Sequence, residues 1–208
     1  MVTTIQTRRQ QDKFETLIQS QVEKGFGSID DFLDAKTISG LRSNLFKYRK
    51  SGEMQPAGIG RMFDFQKNTM VRGDVIKWIE QDTANPYERA FIEMIEEFIR
   101  YLNQTCYTSI NDFEFHYAYY EKNTFYKRHL DQFKSQRGRK YSLVIYLNKD
   151  WKITNGGKLS LFLDKDQREE ILPLGGRTVF FKSDEMEHEV SPSRHRGRLS
   201  IAGWLKSV

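Results

Sequence analysis

The sequence predicts an α+β fold, with helices in the first half backing a sandwich or barrel of short strands in the second. Three observations predict it. Up to about residue 102 the apolar residues recur at three- and four-residue steps. From Asp112 onward the period changes to two. Paired glycines then separate successive β-rich runs.

The elements follow in order. Residues 1 to about 12 are polar and are expected to fray. Phe14, Leu17, Ile18 and Val22 follow helical spacing before Gly25 and Gly27 interrupt. Asp30-Asp31 precede Phe32-Leu33, and Ile38, Leu41, Leu45 and Tyr48 predict a helix to about Lys50, closed by Gly52. Gln55 to Met70 carries glycines and no period, which predicts loop or short strand. Asn85-Pro86 opens the clearest helix, since proline suits a first turn. Phe91, Met94, Ile95, Phe98, Ile99 and Leu102 then form one stripe, predicted to pack on a sheet. Phe113, Phe115, Tyr117 and Tyr119 alternate along the first strand. Tyr141 to Leu147, Lys158 to Leu163, Arg177 to Lys182 and Arg198 to Leu205 follow as strands, with Gly156-Gly157 and Gly175-Gly176 as turns. There is no internal repeat and no low-complexity segment.

The chain has 208 residues, 38% hydrophobic and 13% aromatic, which suits a single domain. Its 33 Lys and Arg against 28 Asp and Glu give a net charge of +5, modest and dispersed, so a nucleic-acid groove is not indicated. The single cysteine, Cys106, excludes an intramolecular disulfide and points to a reducing compartment. Met1 to Lys13 is polar and is not expected to be a Sec-type signal peptide. No segment approaches the roughly 20 apolar residues of a membrane span. A cytoplasmic protein is expected.

The chemistry lies in three separated pieces: His129-Leu130-Asp131, then His188, then Arg198-Leu199-Ser200. In an extended segment residues two apart share a face, so His129 and Asp131 converge, and His188 on the run Glu187 to Val190 can supply a third ligand. Two histidines and one carboxylate occupy one face of an iron(II) ion and leave three positions, two for a chelating 2-oxo acid and one for O2. Zinc or manganese would accept the same ligands. Arg198 shares its strand face with Ser200, Ala202 and Trp204, and a bidentate cation there suits a buried carboxylate. Arg194, Arg196 and Lys206 nearby look solvated. Tyr146, near the end of the Ser142 to Leu147 run, is equally a donor to the same carboxylate or an ordinary half-buried strand tyrosine by pattern alone. Lys134, Arg137, Arg139 and Lys140 form a charge run that reads as a solvated loop.

Longer runs make the reading specific. Tyr126-Lys127-Arg128-His129-Leu130-Asp131, Tyr146-Leu147-Asn148-Lys149-Asp150-Trp151, Asn155-Gly156-Gly157-Lys158-Leu159, Val179-Phe180-Phe181, His188-Glu189-Val190 and Arg198 resemble the prolyl hydroxylase branch of the 2-oxoglutarate oxygenases. The likeness is to the animal oxygen-sensing prolyl hydroxylases and their bacterial relatives. Arg72-Gly73-Asp74-Val75-Ile76-Lys77-Trp78-Ile79-Glu80 resembles the same branch, and nothing in the chain favours reading its RGD triplet as a cell-adhesion signal. The likeness covers roughly residues 55 to 206.

This resemblance implies a double-stranded β-helix, or jelly-roll, with a helical part over residues 1–52 and a site-bearing core over about 112–206. It implies His129, Asp131 and His188 as iron ligands, with Arg198 and Tyr146 on the distal carboxylate of 2-oxoglutarate. Tyr119, ten residues before His129, matches a tyrosine lining the same pocket. Tyr126 and Trp204 match aromatics near the substrate entrance, and Val144 and Leu159 match apolar pocket residues. Asp74 and Arg139 match a pair tying a mobile loop to the rim, so that residues 64 to 78 would close over a peptide. The implied activity is hydroxylation of a proline in a protein or peptide, coupled to conversion of 2-oxoglutarate and O2 to succinate and CO2. Ascorbate is implied as a further cofactor, and a translation elongation factor as a candidate partner.

The chain departs from that pattern in places. The loop Tyr120 to Phe125 lacks the family's glycine, Ala202 stands where some relatives carry a hydroxyl, Glu187 precedes His188, and the His188–Arg198 gap is one residue longer. Two other functions remain open at this point. One is an oxygenase of the same fold acting on a small molecule or alkylated nucleic acid, which would need a basic, aromatic-lined groove beside the metal. The other is a non-enzymatic binding module, which the intact triad argues against.

Overall fold

The computed structural model describes residues 2–58, 71–132, 138–164 and 167–208. Helix α1 spans Val2–Lys24, so the polar start is helical rather than frayed. Its buried face is Phe14, Leu17, Ile18 and Gln21, whereas Val22 is 75% exposed. The stripe steps from 18 to 21, and Val22 falls on the solvent side. Strand β1 (Phe26–Ile29) occupies the stretch that the glycines seemed to interrupt.

Helix α2 (Ala35–Ser51) begins where the Asp34 carboxylate accepts from the Thr37 N–H. It ends where Gly52 adopts φ 77°, a conformation that favours glycine. Two short strands follow, β2 (Gln55–Pro56) and β3 (Asp74–Trp78). Helix α3 (Pro86–Cys106) is capped by Asn85, whose side chain accepts from the N–H groups of Tyr87 and Glu88. Cys106 is its exposed last residue.

The remaining strands are β4 (Asp112–Tyr120), β5 (Tyr126–His129), β6 (Arg139–Tyr146), β7 (Leu159–Phe162), β8 (Arg168–Ile171), β9 (Thr178–Lys182), β10 (Glu187–Val190) and β11 (Arg198–Lys206). β8 reads Arg-Glu-Glu-Ile and lies at a sheet edge, so it has no apolar alternation to announce it. Among the described residues all strand pairings are antiparallel. A seven-stranded sheet runs β1-β9-β6-β11-β4-β3-β2, and a four-stranded sheet runs β5-β10-β7-β8.

Two apolar layers hold this together. The first lies between the helices and the large sheet, joining Leu17, Leu41, Phe91 and Phe98 to Tyr117, Phe180 and Ile201. Phe98 meets Phe180 edge-on at 5.2 Å between ring centroids, fixing α3 to β9. Phe98→Ala would cost about 3–5 kcal/mol. The second layer joins Ala118, Tyr146 and Val179 of the large sheet to Leu159, Leu161 and Val190 of the small one. The two sheets therefore face each other, in the jelly-roll arrangement that the resemblance implies. Among the described residues no helix is long and apolar enough to cross a membrane.

Candidate active site

A cavity opens between the two sheets, walled by β4, β6 and β11 on one side and by β5, β7 and β10 on the other. Strand pairing assembles its centre. β10 lies antiparallel to β5 with His188 opposite His129, so the two imidazoles meet across the ladder. Asp131 follows two residues after His129. The Asp131 carboxylate lies 3.5 Å from His129 Nε2 through Oδ1 and 3.6 Å from His188 Nε2 through Oδ2. One ligand atom from each of the three side chains lies within 4.8 Å of the others.

The surroundings prepare these groups for a cation. His129 Nδ1 is 2.7 Å from the Lys127 carbonyl, and His188 Nδ1 is 3.1 Å from the Met186 carbonyl. A carbonyl only accepts, so each Nδ1 carries the proton and each Nε2 keeps its lone pair for a metal. His129 Nε2 is buried with no hydrogen-bond partner. Burial pushes His188 down to about 4, so it is neutral at ordinary pH. Burial alone would raise Asp131, but the positive charge its neighbouring imidazoles carry once protonated at low pH, with the Ser142 hydrogen bond, outweighs it and holds its carboxyl far below the usual carboxylate range. Ser142 donates to Asp131 Oδ2 at 2.7 Å and contacts Ser183 Oγ at 2.9 Å. An acidic, oriented carboxylate facing two imidazole Nε2 atoms fits a divalent transition metal.

Arg198 reaches the same cavity from β11. It is 2% exposed, yet no carboxylate pairs with it among the described residues. Its Nε donates to the Gly157 carbonyl at 3.0 Å and its Nη1 to Ser200 Oγ at 3.4 Å. Gly157 adopts φ 67°, and a Cβ there would press on Trp151, Ser193 and Arg198 itself. Asn148 pins the strand: its amide donates to the Leu199 carbonyl and its carbonyl accepts from the Leu199 N–H. The guanidinium lies 4.9 Å over the ring of Tyr146, whose hydroxyl is buried with no hydrogen-bond partner. Burial raises the Tyr146 phenol, which keeps it a donor. A fully buried cation beside an unused hydroxyl donor is a receptor for an anion.

Of the other residues singled out from sequence, Val144, Leu159, Trp204 and Tyr126 all line the cavity. Tyr126 stacks on His129, with centroids 3.6 Å apart at 18°. Two expectations need correction. Tyr119 does not face the cavity: on β4 it shares the helix-side layer with Phe115 and Tyr117, under Arg49 at 4.2 Å. Its neighbour Tyr120, paired in register with Arg198, lines the cavity instead. Counting ten residues back from His129 selects the wrong parity of the strand.

The second correction concerns Asp74 and Arg139, which do not pair. Asp74 is held by Arg72 in a two-pronged contact of 2.8 and 2.6 Å, and Arg139 is held by Glu114 at 2.8 Å. The RGD triplet is thus an internal ion pair, with Arg72 4.4 Å over the Tyr126 ring. Arg139 is no solvated loop residue, since it starts β6 and lies 3.4 Å over Trp204. Lys206 is likewise buried, on Asp112 and Glu114. Residues 64 to 70 of the expected closing segment, with Lys134 and Arg137, lie outside the described residues.

Sequence reasoning missed Tyr120, Ser142, His116 and the pairing role of Arg72. The alternation along β4 could have found the first, because it already placed Tyr119 with the core set.

Known proteins match this arrangement. The profile of the 2OG-Fe(II) oxygenase superfamily fits residues 115–206. The chain is 29% identical over 198 residues to Egl nine homolog 1 of Homo sapiens, covering 91% of this chain and 46% of that protein. It therefore spans about half the length of the curated relatives it matches. A solved prolyl-4-hydroxylase from Pseudomonas putida is 30% identical, with a TM-score of 0.84 over 94% of this chain and 99% of that one. A prolyl hydroxylase from Trichoplax adhaerens, solved with a hypoxia inducible factor peptide fragment, shares the fold at 23% identity, with a TM-score of 0.88 over 98% and 93% of the two chains.

Proposed function

The chain belongs to the prolyl hydroxylase branch of the 2-oxoglutarate and Fe(II) oxygenases, and from that premise we propose that it hydroxylates a proline within a protein or peptide. The observation that carries this reading is one cavity holding both the His129–Asp131–His188 cluster and the carboxylate-free Arg198. Fe(II) and 2-oxoglutarate, when bound, supply the oxidation: O2 gives one oxygen to a substrate C–H and one to succinate, with loss of CO2.

The residues divide that work. His129 and His188 present Nε2 and Asp131 an oxygen to the metal, with Ser142 fixing the carboxylate. Arg198 takes the distal carboxylate of 2-oxoglutarate, and the Tyr146 hydroxyl donates to it. Val144 and Leu159 keep water away from the co-substrate, and Tyr126, Trp78 and Trp204 form an aromatic approach for the peptide. Among the described residues the other two cavity cations, Arg72 and Arg139, are each ion-paired, which does not favour a basic groove for nucleic acid.

Succinate formation from 2-oxoglutarate with anaerobically loaded Fe(II), then air, tests the reading. Peptides are screened by mass for one added oxygen on proline, with a translation elongation factor as a first protein substrate. Wild type should produce succinate and hydroxyproline together, and His129→Ala should produce neither. Succinate without hydroxyproline would refute the prolyl substrate, and normal turnover by His129→Ala would refute the metal assignment.

A further inference from the structure

His116 is a buried histidine that the metal and co-substrate roles do not use. It sits in the middle of β4, opposite Trp78 of β3 and Ala202 of β11, with its side chain on the cavity wall. It is 4% exposed, and its Nδ1 is buried without a hydrogen-bond partner. Its ring forms a triangle with Trp78, at 4.9 Å, and Trp204, at 5.6 Å, the two indoles lying 6.4 Å apart. Trp204 Nε1 is also buried and unpartnered. Burial pushes His116 down to about 4, so the ring is neutral and one of its nitrogens can accept.

A bare buried nitrogen costs about 1–3 kcal/mol, and an apolar ring would pack there without that cost. Two such atoms on adjacent rings of one cavity wall are an acceptor and a donor awaiting a complementary pair. A peptide amide offers that pair, one N–H and one C=O. Resting on the prolyl-peptide reading above, we propose that His116 is a specificity-determining residue: its Nδ1 accepts from a substrate main-chain N–H while Trp204 Nε1 donates to a substrate carbonyl. Proline has no N–H, so the amide recognised belongs to a residue flanking it.

The test uses a pool of blocked tripeptides, acetyl-Xaa-Pro-Yaa-methylamide, with peptide-stimulated succinate formation as the readout. The best peptide is then remade with single N-methyl groups on each remaining amide. In wild type, one N-methyl position should raise the peptide KM about tenfold, the value of one net hydrogen bond. His116→Phe should raise the KM of the unmodified peptide by the same factor, with kcat and the 2-oxoglutarate KM unchanged, and should be indifferent to that N-methyl group. His116→Gln, which retains an acceptor, should recover most of the loss. Equal peptide KM in wild type and His116→Phe overturns the inference alone, as does wild type blind to every N-methyl group. A pool in which no peptide stimulates wild-type turnover overturns the prolyl-peptide reading and this inference with it.

Discussion

Arg198→Met separates the proposed anion receptor from an ordinary structural arginine. Had Arg198 been paired with an internal carboxylate, removing it would strand that charge and cost about 3–5 kcal/mol. Here the guanidinium is 2% exposed, and among the described residues its hydrogen bonds go to the Gly157 carbonyl and Ser200 Oγ, with the rings of Tyr146 and Tyr120 at 4.9 and 5.1 Å. Those bonds offset its desolvation, which is itself several kcal/mol for a buried ion. Methionine fills similar length without either term, so the unliganded protein should change by no more than about 1 kcal/mol, a melting shift within roughly 4 °C for a chain of this size. Ligand binding should behave differently. Two charge-assisted hydrogen bonds of roughly 1.5–3 kcal/mol each put the loss at about 10²–10⁴-fold in 2-oxoglutarate affinity. Thermal unfolding under nitrogen with Fe(II), with and without 2-oxoglutarate, measures both. At a hundred times Kd, wild type should gain about 2.7 kcal/mol, or roughly 5–11 °C, and Arg198→Met should gain no more than about 0.4 kcal/mol, under roughly 2 °C, at the same concentration. A variant that keeps the ligand shift, or that loses more than about 3 kcal/mol without ligand, would refute the assignment.

Asp74→Ala leaves the Arg72 guanidinium buried without its partner and should lose about 3–5 kcal/mol in urea unfolding, whereas a loss under about 1 kcal/mol would mean that water screens the pair. Tyr119→Phe should leave the 2-oxoglutarate KM unchanged and Tyr120→Phe should raise it up to about tenfold, the most that one net hydrogen bond is worth; the reverse order would restore Tyr119 to the cavity. His116 is held neutral by burial, with its pKa lowered to about 4. Its contribution is therefore complete above the unfolded value of about 6.5 and is lost as pH falls from there toward 4, up to ~3 kcal/mol. Urea midpoints across that window should drop less steeply for His116→Phe than for wild type, and parallel curves would contradict the burial argument.

What the sequence discloses and what it withholds follow from the range of the forces involved. Caps and periods are local, so α2 is legible from Asp34 to Gly52, and the alternation along β11 by itself puts Arg198, Ser200, Ala202 and Trp204 on one face. The metal cluster is legible because the ligand types and a strand spacing of two are themselves local. Pairing choices are not local. Nothing in the sequence around Asp74 distinguishes Arg72, two residues away, from Arg139 on β6, yet each cation, 11% and 17% exposed, takes its own carboxylate. Arg72, bridged to Tyr126 just before β3, takes Asp74 at the start of that strand, while Glu114, opposite Trp204 on β4, pairs with Arg139. Ser142 is invisible for the same reason: its importance comes from lying within reach of Asp131, eleven residues earlier, and a serine in a strand announces no such partner. The Tyr119 error differs in kind, because the alternation along β4 groups Tyr119 with Phe115 and Tyr117, and a residue count carried over from relatives overrode it. Where strand parity and a residue count carried across a loop disagree, parity is the stronger constraint: a loop can absorb one residue, but a strand cannot without turning its side chains to the other face.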